Sequence, residues 1–146
     1  MTLEALSNLA KIGKVKAEPM NRAEIDRMLV MARKRLTDSS YPQISQEGRF
    51  TSVYNAIHGA ALAALRWHGY RSENRYIVFQ SLGHTLAWPA SQWRVLDAAH
   101  QKRNLAEYEG FLEIEESAIA ELRLFAEKLF ADVDRLIGAG KDTNIA

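Results

Sequence analysis

The stretch RFTSVYNAIHGAALAALRWHGY, residues 49–70, decides the fold. Val53, Tyr54, Ile57, Ala60, Ala61, Ala64 and Leu65 recur at three- and four-residue spacing, the period of one buried helix face, and Gly69 closes the run. The centre, GAALAAL, carries little side-chain volume, so a neighbouring helix can approach it closely.

Working outward, the same period recurs on both sides. Upstream, Asn21 opens a helix as N-cap with Glu24 three residues on, a capping-box pattern. Ile25, Met28, Leu29, Ala32 and Leu36 form its apolar stripe. A short first helix, Leu3 to Ile12, precedes it and is joined to it by the linker GKVKAEPM. TDSSYPQISQEG, residues 37–48, reads as a loop. Downstream, a helix from Ser72 or Glu73 to Leu86 ends before Pro89, and another runs from about Ser91 to Tyr108. The last spans Glu113 to Ile137, and the tail GAGKDTNIA is expected to fray. RYIVFQ is the one segment with strand character. The prediction is all-α: an up-and-down antiparallel bundle of four long helices with one or two short extra helices. One domain covers 1–146, with its core at about 20–137, a short helix and linker at 1–19, and a tail at 138–146.

The bulk numbers suit such a domain. The chain has 146 residues, 47% apolar and 25% charged, and a net charge of +1. A balanced charge leaves nucleic-acid contact to a local patch. The absence of cysteine excludes disulfides, thiolate metal sites and cysteine nucleophiles, and fits a reducing compartment. No apolar run suits a signal peptide or a membrane span, so a cytoplasmic protein without membrane contact is expected. His58, His68, His84 and His100 form no H-x-x-x-H pair and no Glu-x-x-His motif, so neither a metal nor another cofactor is expected. His58 reads as a hydrogen-bonded, partly buried histidine. His68, just before Gly69, reads as a cation at a helix C-terminus. Trp67, Trp88 and Trp93 flank Pro89 or the helix ends, as core packing or as an interface anchor.

Chemistry concentrates in DAAHQKRNLAEYEG, residues 97–110. On a helical wheel Val95, Leu96, Ala98, Ala99, Leu105 and Ala106 share one side. His100 and Glu107 fall opposite or at the margin, Asn104 and Tyr108 on the polar side, and Arg103 on the boundary. The pairs His100–Asn104, Arg103–Glu107 and Asn104–Tyr108 are each four apart, so they can touch along one strip. One reading is an exposed Arg103–Glu107 pair worth ~0.3–0.5 kcal/mol, with Tyr108 packed on a neighbour. The other is phosphate chemistry. There the arginine fork holds phosphate oxygens, Asn104 fixes geometry, and His100 or Tyr108 moves a proton. A third use of the strip is as specificity contacts in a non-catalytic interaction protein, through a homodimer or partner interface.

HQKRNLAEYEG, late in a helix and followed by a long final helix, resembles the signature region of the HEPN domain family. The 49–70 helix is similar to that family's tyrosine- and alanine-rich helix, which packs beneath its site. HEPN domains are all-α bundles, many of them associated with RNA cleavage, and their hallmark is Arg, a polar residue, then His within R-x(4–6)-H. Arg103-Asn104 matches the first part; Tyr108 stands near the motif histidine's place, and no histidine follows it. The resemblance implies RNA or nucleotide binding, a metal-independent endoribonuclease where catalysis is retained, and a homodimer with two motifs facing one cleft. It also implies a role in toxin–antitoxin or stress systems, with a nucleotidyltransferase antitoxin as partner and Tyr108 as acceptor of a nucleotidyl group.

Overall fold

The computed structural model describes residues 2–109 and 114–145, with side chains described except at 2, 3, 106, 107 and 139–145. In chain order the elements are α1 (Thr2–Lys11), β1 (Lys16–Ala17), α2 (Arg22–Asp38), α3 (Gln46–Trp67) and β2 (Tyr70–Arg71). They continue with α4 (Arg75–Gln80), α5 (Leu82–Thr85), α6 (Ala90–Glu109) and α7 (Glu116–Ile145). The fold is all-α, and the long helices expected from the sequence are α2, α3, α6 and α7.

Side-chain caps set the helix starts. Asn21 Oδ1 accepts from the Glu24 amide at 3.0 Å, and Ser45 Oγ accepts from the Gly48 amide at 3.0 Å. The second cap lies inside the expected 37–48 loop, so α3 begins earlier than its apolar stripe does. RYIVFQ is the helix α4, started by Asn74, whose Oδ1 accepts from the Ile77 amide. The single helix expected over 72–86 is two, α4 and α5. Ser81 between them donates from Oγ to the Ile77 carbonyl, a local bond that competes with a continuous helical ladder. At the C-terminal end, α7 runs past Ile137 to Ile145.

α3 is the central element and packs most extensively on α2 and α7. The small residues do what their volume suggests: a Cβ added at Gly59 would lie 3.2 Å from the Ala32 Cβ, so α2 and α3 nearly touch there. Arg33 Nη2 ties α2 to α7 through Asp134 at 2.6 and 2.8 Å. All three tryptophans serve intramolecular contacts. Trp88 is buried and donates from Nε1 to Asp132 on α7 at 2.7 Å; Trp67 lies under Arg22, and Trp93 meets Tyr76 edge-on.

The N-terminal linker is fastened in a way its composition does not suggest. Lys16–Ala17 pairs antiparallel with Tyr70–Arg71, a strand pair too short to carry a period-two pattern. Behind it Arg66, only 1% exposed, donates from every side-chain nitrogen. Nε reaches Glu24 Oε1 at 2.9 Å, Nη1 the Glu18 carbonyl at 2.9 Å, and Nη2 the Pro19 carbonyl at 2.7 Å. Arg71 closes the network on the Glu18 and Glu24 carboxylates. Glu24 therefore spends its carboxylate on two arginines, and the capping-box pattern supplies only the Asn21 half.

His68 departs from its expected role. Burial lowers its pKa, so it stands at the end of α3 as a neutral imidazole rather than a cation on the helix dipole. Leu3, Ala106 and Glu107 have side chains outside the described ones, which places the expected Arg103–Glu107 pair there too. Glu113, the expected start of the last helix, is also outside the described residues.

Candidate functional site

The inner face of α6 is not the aliphatic side of its wheel. The residues turned inward are Trp93, Leu96, Ala99, His100 and Arg103, while Ala98 is exposed and Leu105 is 54% exposed. What they meet explains the exchange. α6 packs chiefly on α4 and more lightly on α3, and the groups presented there are aromatic and polar: Phe79 from α4 and Tyr54 from α3. An imidazole and a guanidinium fit that surface better than leucine does, because both can use the π faces and the phenol.

A hydrogen-bonded chain results. Tyr54 Oη and His100 Nδ1 are 2.6 Å apart, and His100 Nε2 and Asn104 Nδ2 are 3.1 Å apart. With Asn104 Nδ2 as donor, Nε2 accepts, Nδ1 carries the ring proton, and Tyr54 Oη receives it. The phenol and imidazole planes lie 16° apart, and Phe79 meets both rings edge-on. Burial pulls the His100 pKa below its ordinary value. Asp97 opposes that shift, and the charges of Arg75 and Arg103 reinforce it. At neutral pH the ring is uncharged, as the two-bond pattern requires.

Two guanidiniums accompany the chain. Arg103 Cζ lies 5.3 Å from the centre of the Tyr54 ring and Arg75 Cζ lies 5.2 Å from it. Tyr54 is 1% exposed, so this is a cation–π platform with a buried ring and half-buried cations. His58, one turn along α3 from Tyr54, contacts Phe79 edge-on. Its pKa falls to about 4, through burial first and then the charges of Arg75, His100 and Arg103. Its Nε2 is buried with no hydrogen-bond partner among the described residues, so the partly buried histidine expected at this position lacks the expected bond.

The four residues expected to form the site thus separate into two groups. His100, Asn104 and Arg103 converge around Tyr54. Tyr108 does not join them: it stands 91% exposed on the last turn of α6. Tyr54, His58, Arg75 and Phe79 belong to the cluster and were not anticipated as site residues. The resemblance gave one signal, by placing a tyrosine-bearing helix beneath the motif. Arg75 had none, because RYIVFQ reads as an apolar segment with a charge at its edge.

Among the described residues no group of three or more His, Asp or Glu side chains could hold a metal ion, and no helix is long and apolar enough to cross a membrane. Comparison with protein-family models, curated proteins and solved structures finds no match.

Proposed function

We propose that the chain is a HEPN-like domain that binds RNA through the α6 strip. Arg103 takes a backbone phosphate, Asn104 fixes its orientation, and Tyr108 offers a ring on which a base stacks. The observation that carries this reading is the placement of Arg103. Its guanidinium lies over the Tyr54 ring beside Asn104, and a guanidinium is the group whose planar fork matches phosphate oxygens. An exposed aromatic one turn beyond Arg103 on the same helix suits stacking by a base of single-stranded nucleic acid. Both His100 ring nitrogens are engaged by Tyr54 and Asn104, which favours binding over proton transfer. The resemblance extends the proposal to a cytoplasmic homodimer in a toxin–antitoxin or stress system, partnered by a nucleotidyltransferase.

The test is fluorescence anisotropy with a single-stranded RNA oligomer. Arg103→Ala is expected to weaken binding about tenfold, and equal affinity of the variant would sink the assignment. Incubation of the wild type in EDTA checks the enzymatic extension. Cleavage lost in Arg103→Ala would make the protein a metal-independent endoribonuclease; intact RNA leaves it a binding domain.

A second reading has its own observation. Leu105 and Tyr108 are exposed on the C-terminal half of α6, an apolar pair that suits contact with a second protein. It describes a non-catalytic interaction protein acting through a homodimer or partner interface. It predicts that Leu105→Glu with Tyr108→Glu changes the mass seen by light scattering while RNA affinity is absent from the start.

A further inference from the structure

A cleft of about 540 Å³ lies between α2 and α3, closed at one side by Arg75 at the start of α4. The two helices run antiparallel, since Ala32 meets Gly59 while Glu24 meets Arg66. Its wall is apolar, formed by Met28, Met31, Ala32, Gly59 and Leu62. Its polar lining is cationic: Arg27, Arg35 and Arg75 against one carboxylate, Glu24, which already accepts from Arg66 and Arg71. Arg35 contacts Asp38 at the exposed end.

Two atoms in this lining are out of place for a finished interior. His58 Nε2 and Arg75 Nη1 are both buried and have no hydrogen-bond partner among the described residues. Buried orphan polar groups are few in native proteins, and an unpaired guanidinium N–H is the costliest kind because it carries charge. Arg75 is oriented by the Tyr54 ring, a contact that uses none of its N–H donors. Both orphans belong to residues that line one cleft, and an anion is the kind of partner that a guanidinium N–H and an imidazole N–H lack there.

We propose that this cleft binds a free mononucleotide, with Arg75 and His58 holding the phosphate and the Met28–Leu62 wall receiving the base. The arginine fork matches phosphate geometry, and Arg27 adds charge at the exposed lip. His58 stays neutral near pH 7 and so adds a hydrogen bond without a further charge. Thioether and leucine side chains suit the face of a planar, polarizable ring. The volume lies within the range of ordinary small-molecule sites. The cleft adjoins the RNA strip through the Tyr54 ring that Arg75 and Arg103 share, but Arg103, Asn104 and Tyr108 do not line it.

Isothermal titration of the full chain with AMP, adenosine and ribose 5-phosphate tests it. AMP is expected to bind, with adenosine and ribose 5-phosphate each weaker by about tenfold or more, since each lacks one half of the contacts. Arg75→Met is expected to weaken AMP by about tenfold, and Leu62→Trp, which fills the cleft, to remove binding. Tyr108→Ala, at the exposed end of the RNA strip, should leave AMP affinity within about twofold, so a failure of the RNA reading does not touch this one. Circular dichroism checks that each variant is folded. Should one not fold, the His58 imidazole signals of the wild type decide by NMR, since AMP must shift them. Absence of AMP binding, indifference to both cleft variants, unshifted His58 signals, or loss of binding in Tyr108→Ala would overturn the proposal.

Discussion

Arg66 and Arg75 are both drawn into the interior, but by opposite means. Arg66 comes from the last turn of α3 and gives each of its nitrogens to an oxygen of the linker or of α2. Arg75 comes from the first turn of α4, is steadied by the Tyr54 ring, and keeps a buried nitrogen without a partner. A fully bonded buried cation is a fastening, since any change leaves partners stranded. A cation held by a π face with donors unspent is a fastening only in part, and what remains is available to a ligand. The same contrast separates Glu24, which accepts from two arginines, from His58, neutral and with its buried Nε2 lacking a hydrogen-bond partner among the described residues.

The sharpest way to break the contrast is to truncate both cations. Arg66→Ala takes one of the two arginines from Glu24, strands the Glu18 and Pro19 carbonyls, and is expected to cost about 3–5 kcal/mol in urea denaturation. Arg75→Met removes a cation with an unmet donor and should change stability by no more than about 1 kcal/mol, in either direction. Equal losses would erase the distinction.

Acid supplies the next test. In the unfolded chain His58 titrates near 6.5, and in the fold at about 4. Between those values the unfolded chain holds a proton that the folded chain refuses. Stability contributed by the neutral ring is therefore complete above pH 6.5 and is lost as pH falls toward 4. The lowered pKa values of His100 and His68 act in the same direction. The His58 share should be on the order of 2 kcal/mol after discounting its partial exposure. His58→Gln should flatten that part of a stability-against-pH curve, and an unchanged slope would show that the ring is not the group responsible.

A smaller effect is expected at Tyr54→Phe. It removes the oxygen facing His100 Nδ1 and should cost about 1 kcal/mol, with the ring platform for Arg103 and Arg75 retained. The smallest belongs to Glu116, whose carboxyl Arg49 and then Gln46 hold down to about 2. A depressed carboxylate stabilises above its unfolded pKa, near 4.5, and that contribution disappears as pH falls through about 2. Because the pair is exposed, salt should remove the difference between wild type and Glu116→Gln.

Much of the scaffold was legible, for local reasons. Asn21 and the α3 stripe act within one or two turns, so spacing alone exposes them. Where the meaning of a residue depends on a distant neighbour, the sequence is silent. Arg66 looks like any basic residue in a last turn until Glu18, Pro19 and Glu24 arrive around it. Lys16–Ala17 forms a strand only because Tyr70–Arg71 lies beside it. The inner face of α6 misleads more actively: its partners are Tyr54 and Phe79, so His100 and Arg103 turn inward while Leu105 turns out. That Arg103, Asn104 and His100 share a strip was still legible, because three- and four-residue spacing puts them together whichever side faces in. His58 and Arg75 come from two other helices and meet the strip only in three dimensions.

The most direct test of the central claim is the salt dependence of RNA binding. The logarithm of the association constant is measured against the logarithm of salt concentration for the wild type and for Arg103→Ala. If Arg103 holds a phosphate, the variant binds more weakly and its slope is shallower by about 0.7 to 1, the loss of one phosphate contact. Superimposable lines for the two proteins, or no RNA binding by the wild type at low salt, would contradict the account.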